Sequence, residues 1–335
     1  MASDPEALGA GLATALGLAG PASVRGLKRL SGGASQETWA FEATLPDGTL
    51  RRQVLRRAPA GADRRSTDKA GLATEARLIG LAAAAGVPVP TVRCLLPPEA
   101  ALGEGFVTDW LPGETLGARV AAAERAALAW QCGQALARIH ALPAAQLPPL
   151  RSTQPAAEVA HLRDWHARHG TVRPVFQYAL RWLAARAPAD AAPALVHGDF
   201  RNGNLMVDLA EDRLVGVLDW ELAHLGDPMA DLGWLCVASW RFGHPERPVG
   251  GFAPLAPLFE GYRAAGGRVD EARVQWWQVL GSLRWGVMCE GMGQAWLSGT
   301  EPVMERAAIA RRASENEIDL LALLLPRSAG APLSA

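Results

Sequence analysis

One short stretch in the second half of the chain constrains the fold more than any other feature. It has the sequence LVHGDFRNGNLMVD, residues 195–208, and an apolar run that ends in Asp219 follows it. The residues after Asn204 predict two antiparallel strands joined by a turn at 210–212. A hairpin of this length returns Asp219 to the end of the sheet that also carries Asp199. The sequence therefore predicts three oxygen-bearing side chains at the mouth of one hairpin.

Packing alone does not explain this group of side chains, because buried carboxylates repel one another unless a cation compensates them. The spacing of His197, Asp199 and Asn204 is that of a kinase catalytic loop. In such a loop the carboxylate lies beside the attacking hydroxyl and the amide oxygen ligates Mg²⁺. Gly203 is suited to the tight turn between them, since glycine readily adopts positive φ. The His-x-Asp pair alone could equally be a structural turn, and Asp219 is what favours the catalytic interpretation.

The sequence HGDFRNGNLMVD…GVLDWELAHLGDPMADLGWL resembles the aminoglycoside-phosphotransferase superfamily, which includes choline and homoserine kinases. It is most similar to the branch related to phosphotransferase domains fused to acyl-CoA dehydrogenases, from about residue 24 to about residue 300. The resemblance implies an α+β, bilobal protein-kinase-like fold. A small antiparallel β-sheet lobe with one main helix, residues 1–110, would bind the nucleotide. A larger, mostly helical lobe, residues 111–335, would carry the catalytic and acceptor-binding residues.

The pattern of residues along the chain agrees with this two-lobed organisation. A short helix is predicted at 5–19, and alternating residues around a Pro-Asp-Gly turn predict strands between residues 24 and 57. Residues 65–85 are rich in helix formers and predict a helix, and two further short strands follow in 93–110. The remainder reads as mostly helical, with helices at 122–141 and within 156–186, apart from the hairpin segment.

The resemblance assigns chemical roles to residues of the hairpin segment. Asp199 matches the catalytic base, and Asn204 and Asp219 match the two metal ligands. Arg201 stands where protein kinases have a lysine that neutralises the transferred phosphoryl group; a surface arginine is the alternative. The implied cofactor is Mg²⁺ with ATP or GTP as the phosphoryl donor.

Three further residues would support this site. His197 belongs to the loop itself, and Asp231 resembles the buried aspartate that anchors the loop by accepting its backbone N–H groups. A helix N-cap is an equally good interpretation of Asp231. Glu221 would support the metal, with an exposed acid at a helix start as the alternative.

The small lobe offers weaker motifs for binding a nucleotide. Gly32, Gly33 and Ser35 resemble the loop that covers the phosphates, where glycine lets backbone N–H groups approach. The backbone at Asp109 and Leu111 matches the hinge that hydrogen-bonds the adenine edge.

The third strand ends in Val-Leu-Arg-Arg, where kinases normally have Val-Ala-Ile-Lys. Arg56 therefore stands in the lysine position, and a guanidinium can still pair with phosphate oxygens. Glu75 in the following helix resembles its orienting partner, with a solvated helix acid as the alternative.

The acceptor site is the least determined part. Four residues of the C-terminal half are candidates: Trp240, Trp277, Trp285 and Glu290. Tryptophan at helical spacing is also typical of a core. The acids in 270–300 are Asp270, Glu271 and Glu290, against Arg273 and Arg284. This balance argues against a polycationic aminoglycoside and favours a less cationic, partly apolar acceptor, such as the hydroxyacyl-CoA that the branch resemblance suggests.

Composition excludes some classes of function. The net charge of −1 provides no global basic field for a nucleic acid, and four scattered cysteines do not form a zinc or disulfide pattern. The first twenty residues lack the basic start of a signal peptide, and no stretch is apolar enough to span a membrane. A cytoplasmic location is therefore expected, and the oligomeric state stays open.

Three alternatives to a metabolite kinase remain at this stage. The first is a catalytically silent nucleotide-binding module, which the intact Asp199, Asn204 and Asp219 disfavour. The second is an aminoglycoside- or macrolide-type antibiotic phosphotransferase. The third is a protein kinase, which is disfavoured because only 11 residues separate Asp219 from Asp231, too few for an activation segment.

Overall fold

In the computed structural model, which describes residues 5–30, 36–58, 69–169 and 171–325, a β-sheet lobe precedes a larger helical lobe. The sheet is antiparallel, has the strand order β1-β2-β3-β5-β4 and is accompanied by two helices. The elements are α1 (Pro5–Ala15), β1 (Val24–Arg29), β2 (Glu37–Thr44), β3 (Leu50–Arg57), α2 (Leu72–Ala84), β4 (Val92–Leu96) and β5 (Gly105–Asp109). The α+β, kinase-like fold class predicted from the sequence is confirmed.

Alternation along β2 explains why this sheet forms. Trp39, Phe41 and Ala43 are buried in a core that α1 covers from one side. The predicted turn to β3 is present: the backbone N–H of Thr49 donates to Asp47 Oδ1 at 2.9 Å, and Gly48 has a φ of 84°. Glycine tolerates this left-handed conformation without the steric cost that a Cβ would add.

The start of helix α2 differs from the prediction. The sequence predicted a helix over 65–85, but residues 69–70 are not helical, α2 begins at Leu72, and residues 59–68 lie outside the described part. The physical reason is a tertiary contact: the backbone N–H of Ala70 donates to the carbonyl of Glu221 at 2.7 Å, which ties this segment to the helical lobe. The end was predicted correctly, since Gly86 follows with a φ of 75°.

The second lobe is mostly helical, as predicted. Residues 156–186 form two helices rather than a continuous one, because Pro174 starts the second. The elements are α3 (Gly117–Val120), α4 (Ala126–His140), α5 (Pro155–His169), α6 (Pro174–Ala185), β6 (Ala194–Val196), β7 (Leu205–Asp208), β8 (Arg213–Val217), β9 (His224–Gly226), α7 (Met229–Leu235), α8 (Leu255–Ala264), α9 (Glu271–Leu297), α10 (Met304–Ala310) and α11 (Ala313–Leu324).

Two features of this lobe position the site. Strands β7 and β8 pair as the predicted hairpin, so the loop before β7 and the residues after β8 meet at one end. Helix α9 is 27 residues long, and α5, α6, α7, α10 and α11 pack around it. Among the residues that the structure describes, no helix is both long and apolar enough to cross a bilayer.

Candidate active site

Asp199, Asn204 and Asp219 lie where the hairpin brings the two loops together. Asn204 donates its amide Nδ2–H to Asp199 Oδ2 at 2.6 Å and to the Asp199 carbonyl at 3.0 Å. The backbone N–H of Leu218 donates to the Asn204 carbonyl at 2.9 Å, which holds the residue before Asp219 against the loop. Because the amide nitrogen faces Asp199, the side-chain oxygen of Asn204 remains available to a cation. Gly203 has a φ of 110°, the conformation expected for the turn.

His197 hydrogen-bonds to the backbone of both loops. Its Nδ1 accepts the backbone N–H of Asp199 at 3.2 Å, and its Nε2–H donates to the Leu218 carbonyl at 3.1 Å. The side chain is fully buried, and this burial lowers the pKa of His197 even though three aspartates are near. A neutral imidazole with one acceptor and one donor nitrogen fits both contacts. His197 therefore holds the backbone around Asp199 and does not act as an exposed base.

Asp231 anchors the same loop. Its carboxylate accepts the backbone N–H groups of His197 at 2.8 Å and Gly198 at 2.9 Å, and His140 Nε2 lies 3.0 Å away. Burial alone would raise the pKa of Asp231, but the contacts with His140 and His197 hold it below its ordinary value. Asp231 is not a helix N-cap, because α7 begins at Met229, whose N–H donates to Asp227.

The carboxylate of Asp199 is held in one orientation. Arg201 Nε donates to Oδ1 at 3.0 Å, and the indole N–H of Trp234 donates to the same oxygen at 2.8 Å. Trp234 lies on α7, one turn after Asp231. Sequence reasoning missed Trp234; the available signal was its place in the segment DPMADLGW, three residues after the aspartate that anchors the loop. Helical spacing puts residues i and i+3 on one face.

Arg56 lies among three carboxylates at the junction of the two lobes. Its Nη2 is 2.6 Å from Asp219 Oδ1 and 3.5 Å from Glu221 Oε2, and its Nε is 3.3 Å from Glu75 Oε2. Lys69 adds a second cation, with Nζ 2.9 Å from Glu221 Oε1. The group formed by these five side chains has three acids and two bases.

Glu75 is the most buried of the three acids, with 1% of its surface exposed. Burial raises its pKa to about 7, although Arg56 and a hydrogen bond from Gln36 Nε2, at 3.2 Å, act in the opposite direction. A solvated helix acid, the alternative interpretation of Glu75, is therefore wrong for this structure. Glu221 is likewise ion-paired rather than a free acid at a helix start.

Asp219 has a left-handed backbone, with a φ of 64°. Aspartate reaches this region at a cost, and such strain persists where the surrounding structure enforces it. Here the enforcing contacts are the hydrogen bond of the preceding Leu218 to Asn204 and the ion pair with Arg56. The strained backbone aims the carboxylate towards Arg56, at the end of strand β3.

A cavity of ≈ 270 Å³ lies between the two lobes and reaches Arg56 and Asp219. Val54 and Phe106 line it from the sheet, and Met206 and Leu218 line it from the hairpin. Its shape and apolar walls suit a flat heterocycle.

Two further predicted nucleotide residues, Asp109 and Leu111, also line this cavity. The N–H of Asp109 already donates to the Thr91 carbonyl at 3.0 Å, so only its carbonyl is left to offer a ligand. Gly32, Gly33 and Ser35 lie outside the described residues.

The four acceptor candidates separate into two pairs. Trp240 and Trp285 pack next to the site with their rings tilted against each other. Their ring centroids are 4.9 Å apart, and the centroid of Trp240 is 5.2 Å from that of Trp234. The guanidinium of Arg201 lies 4.8 Å above the Trp240 ring, so Arg201 is not an isolated surface arginine.

Trp277 and Glu290 are engaged elsewhere, contrary to their assignment to the acceptor. Trp277 is 6% exposed and donates its indole N–H to Asp227 Oδ2 at 2.5 Å, which makes it a core residue. Glu290 contacts His166 and Arg173 at 2.9 and 2.7 Å and joins α9 to helices α5 and α6. A carboxylate with these partners needs no ligand.

The side chains present fit a magnesium ion carried by a nucleotide. Asn204 and Asp219 offer oxygen ligands, the type that Mg²⁺ prefers. In the described part of the chain, no group of three or more His, Cys, Asp and Glu side chains is arranged to hold a metal ion. Two protein oxygens with phosphate and water completing the shell are usual for Mg²⁺, which is seldom bound by an all-protein cage.

Comparison with known proteins gives one consistent result. The model of the phosphotransferase enzyme family matches residues 26–277. Acyl-CoA dehydrogenase family member 10 of Mus musculus is 30% identical over 232 residues, which are 66% of this chain and 21% of that protein. Probable acyl-CoA dehydrogenase IBR3 of Arabidopsis thaliana is 26% identical over 82% of this chain and 37% of its own length. This chain thus spans well under half of either relative.

Solved structures agree with this assignment at the level of the fold. A candidate aminoglycoside phosphotransferase from Ralstonia eutropha superposes with a TM-score of 0.73 at 22% identity, covering 96% of this chain and 98% of that one. The GDP complex of aminoglycoside 2'-phosphotransferase-IIIa superposes with a TM-score of 0.63 at 14% identity, covering 89% and 94%.

Proposed function

Since the chain belongs to the phosphotransferase enzyme family, we propose that it transfers the γ-phosphoryl group of Mg²⁺-bound ATP or GTP to a hydroxyl of a small molecule. The observation that carries the proposal is the arrangement of Asp199. Its carboxylate is oriented by Arg201, Trp234 and Asn204, next to the loop that presents Asp219. Three donors on one carboxylate are more than a surface turn requires.

The chemistry needs little beyond positioning and charge compensation. The acceptor oxygen forms a bond to the γ-phosphorus as the bond to the β-phosphate oxygen breaks. Asp199 receives the hydroxyl proton, and the nucleoside diphosphate leaves with the electron pair of the broken bond. Arg201 lies close enough to Asp199 to face the phosphoryl group in transfer and offset its charge.

Asn204 and Asp219 would hold the magnesium ion, which supplies compensation for the charge of the triphosphate. Asn204 contributes its side-chain oxygen, because its nitrogen is bound to Asp199. Asp219 would contribute its carboxylate, which Arg56 contacts at 2.6 Å. Arg56 would then pair with phosphate oxygens in place of the usual lysine, and Glu75 would keep it in position.

The cavity between the lobes would take the base, with the Asp109 carbonyl and the Leu111 backbone at its edge. The GDP bound in a protein of the same fold supports a nucleotide here, but it does not decide between ATP and GTP. The phosphate-covering role of Gly32, Gly33 and Ser35 is part of the same proposal and rests on the sequence alone.

For the acceptor, we favour a hydroxylated metabolite such as a hydroxyacyl-CoA over an antibiotic. Two relatives are named as acyl-CoA dehydrogenases, and this supports an acyl thioester as the acceptor. The solved neighbours named as aminoglycoside phosphotransferases support the competing view. Beside Asp199, the guanidinium of Arg201 already covers the Trp240 ring and would repel a polycation.

The test is a mass-spectrometric screen for phosphorylated products with ATP, GTP and Mg²⁺. Hydroxylated acids, their CoA thioesters, aminoglycosides and macrolides form the acceptor panel. The proposal expects one class to be phosphorylated by the parent and not by Asp199→Asn. A protein that binds nucleotide yet phosphorylates no acceptor in a wide panel would favour the silent nucleotide-binding module. Products confined to the antibiotics would favour the competing acceptor class.

A further inference from the structure

A second cavity, of ≈ 320 Å³, lies between helices α5 and α9. Leu162 and Trp165 of α5 and Val287 and Met288 of α9 form its apolar walls. Leu222, three residues after Asp219, also lines it. The cavity is therefore part of the helical lobe and separate from the space between the lobes that the nucleotide would fill.

The charges of the side chains that line this cavity do not sum to zero. Arg151 Nη1 lies 3.3 Å from Glu158 Oε1, so these two groups compensate each other. Burial opposes ionisation of Glu158, but Arg284, the Thr153 hydroxyl and Arg151 together hold its pKa below the ordinary value. His224, which packs nearby, is neutral, because burial and Arg151 lower its pKa to about 4. Two guanidinium groups against one carboxylate leave one positive charge.

Arg284 is the less well compensated of the two arginines, because it acts on Glu158 only from beyond ion-pair distance. Its side chain is partly buried, and among the described residues no carboxylate lies within ion-pair distance of it. Its guanidinium instead lies 5.4 Å from the ring of Trp234. A half-buried cation whose only counter-ion is distant and shared gives up hydration and gains little in return. Such a group is stabilised when an anion enters the cavity.

Arg284 is also close to the catalytic carboxylate. The Trp234 ring that Arg284 covers donates its N–H to Asp199 Oδ1 at 2.8 Å, so a single indole separates the two groups. A narrow space of ≈ 30 Å³ between Gly198 and Arg284 lies along the same path. This space and the cavity share Glu158 and Arg284 among their lining residues.

We propose that this cavity binds the phosphoryl acceptor and that Arg284 pairs with an anionic group of it, a carboxylate or a phosphate. The proposal rests on the proposed function, because it takes Asp199 as the position of the reacting hydroxyl. The acceptor class is a hydroxylated organic anion with an apolar segment. Charge-assisted hydrogen bonds to a guanidinium select such an anion, and the apolar walls take the hydrocarbon. A polycation would meet Arg284 with the same sign of charge.

The experiment measures binding, so that it does not depend on turnover. Calorimetry is carried out on the complex with Mg²⁺ and a non-hydrolysable ATP analogue, using hydroxyalkanoic acids, their primary amides and their CoA thioesters. The acid and the amide of each pair differ only in charge. Stronger binding of the acid identifies a carboxylate ligand, whereas binding of the thioester alone identifies the CoA phosphates as the anion.

The parent should bind the anionic member of a pair more tightly than the amide. Arg284→Gln should weaken anion binding about 10- to 100-fold and change amide binding less than about twofold. Arg284→Lys should keep part of the preference, because it retains the charge and loses the fork geometry. Arg263→Gln, which removes an arginine from the exposed surface of α8, is the matched control and should keep the full preference.

Two results would overturn the inference: no anion preferred over its amide by the parent, or equal losses for acid and amide in Arg284→Gln at an unchanged melting temperature. Failure of the proposed function gives a different pattern. Anions would then bind in an Arg284-dependent manner, while no γ-phosphoryl label reached them in the presence of ATP and Mg²⁺.

Discussion

Nη2 of Arg56 lies 2.6 Å from Oδ1 of Asp219, although 163 positions separate the two residues in the chain. The contact joins the last part of strand β3 to the loop after β8, and so joins the two lobes. Arg56 thus compensates the charge of a carboxylate that is also a candidate ligand for a magnesium ion. A cation that arrives with the nucleotide must therefore compete for the same carboxylate.

The first prediction concerns Asp219. Asp219→Asn should abolish phosphoryl transfer, because an amide is a much weaker ligand for Mg²⁺ than a carboxylate. Relief of carboxylate repulsion would suggest a more stable variant, but the ion pair with Arg56 leads to the opposite expectation, a loss of about 1 kcal/mol. Single-turnover assays and thermal unfolding measure the two effects. Asp208→Asn, on the exposed end of β7, is the control, and normal turnover by Asp219→Asn would refute its role as a ligand.

The second prediction concerns Arg56. Arg56→Ala should weaken the binding of ATP much more than that of adenosine, since only phosphate contacts are lost. Isothermal titration with both ligands is the measurement, and equal losses would make Arg56 structural.

Arg57 is the neighbouring contrast to Arg56. Alternation on the strand places Arg57 on the other face, which suggests that it tolerates the same change. The structure corrects this expectation, because Arg57 is 9% exposed and donates to Glu37 at 3.0 Å and to the Leu102 carbonyl at 3.1 Å. Arg57→Ala should remove the guanidinium that compensates the buried Glu37 and lower the unfolding temperature, while the ratio of ATP to adenosine affinity stays that of the parent.

The third prediction concerns pH. Burial raises the pKa of Glu75 to about 7 in the folded protein, against an ordinary value of 4.5, so the folded state binds the proton more tightly. Stability should therefore fall as the pH rises from about 5 to about 7, by up to about 3 kcal/mol, and remain lower above that range. Glu75→Gln has no carboxyl group at this position, so its stability should not show this decrease with pH. Melting curves of both proteins without nucleotide test it, with Glu42→Gln as a surface control; parallel curves would contradict the assignment.

The fourth prediction concerns Asp199. Asp199→Ala should bind the Mg²⁺ nucleotide almost as tightly as the parent and lose transfer by about 10²- to 10⁴-fold or more. Asn204→Ala should differ in kind, because it removes an oxygen offered to the metal and weakens nucleotide binding as well. Nucleotide affinity and single-turnover rate are measured for both variants with one active acceptor. If Asp199→Ala lost nucleotide binding as severely as Asn204→Ala, the assignment of Asp199 to catalysis and of Asn204 to the metal would be wrong.

Local pattern was enough to predict the parts of the molecule that depend on neighbours in sequence. The loop from His197 to Asn204 and the return of Asp219 follow from spacing and from one hairpin. The turn at Gly48 and the end of α2 at Gly86 follow from the conformational freedom of glycine. The fold class was implied by the resemblance to the phosphotransferase superfamily, and the order of strands and helices agreed with it.

Residue type alone misled wherever burial decided the role. Trp277 and Glu290 had the chemistry of an acceptor site, yet both are buried among partners of their own. Trp234, which contacts Asp199 directly, carried no signal stronger than its spacing from Asp231. Tryptophans on the same set of helices look alike in sequence, and only the packing of α7 against α9 determines which one faces the loop.

The sequence by itself determined the catalytic spacing and the order of strands and helices, because both arise from contacts between residues close along the chain and from their backbone preferences. Only the tertiary structure decided that Arg56 pairs with Asp219 and Glu221 as well as Glu75, and that Arg284 shares a single carboxylate, Glu158, with Arg151. These contacts join elements far apart in the chain. Their existence depends on how the lobes and helices pack, and no periodicity or motif encodes that packing.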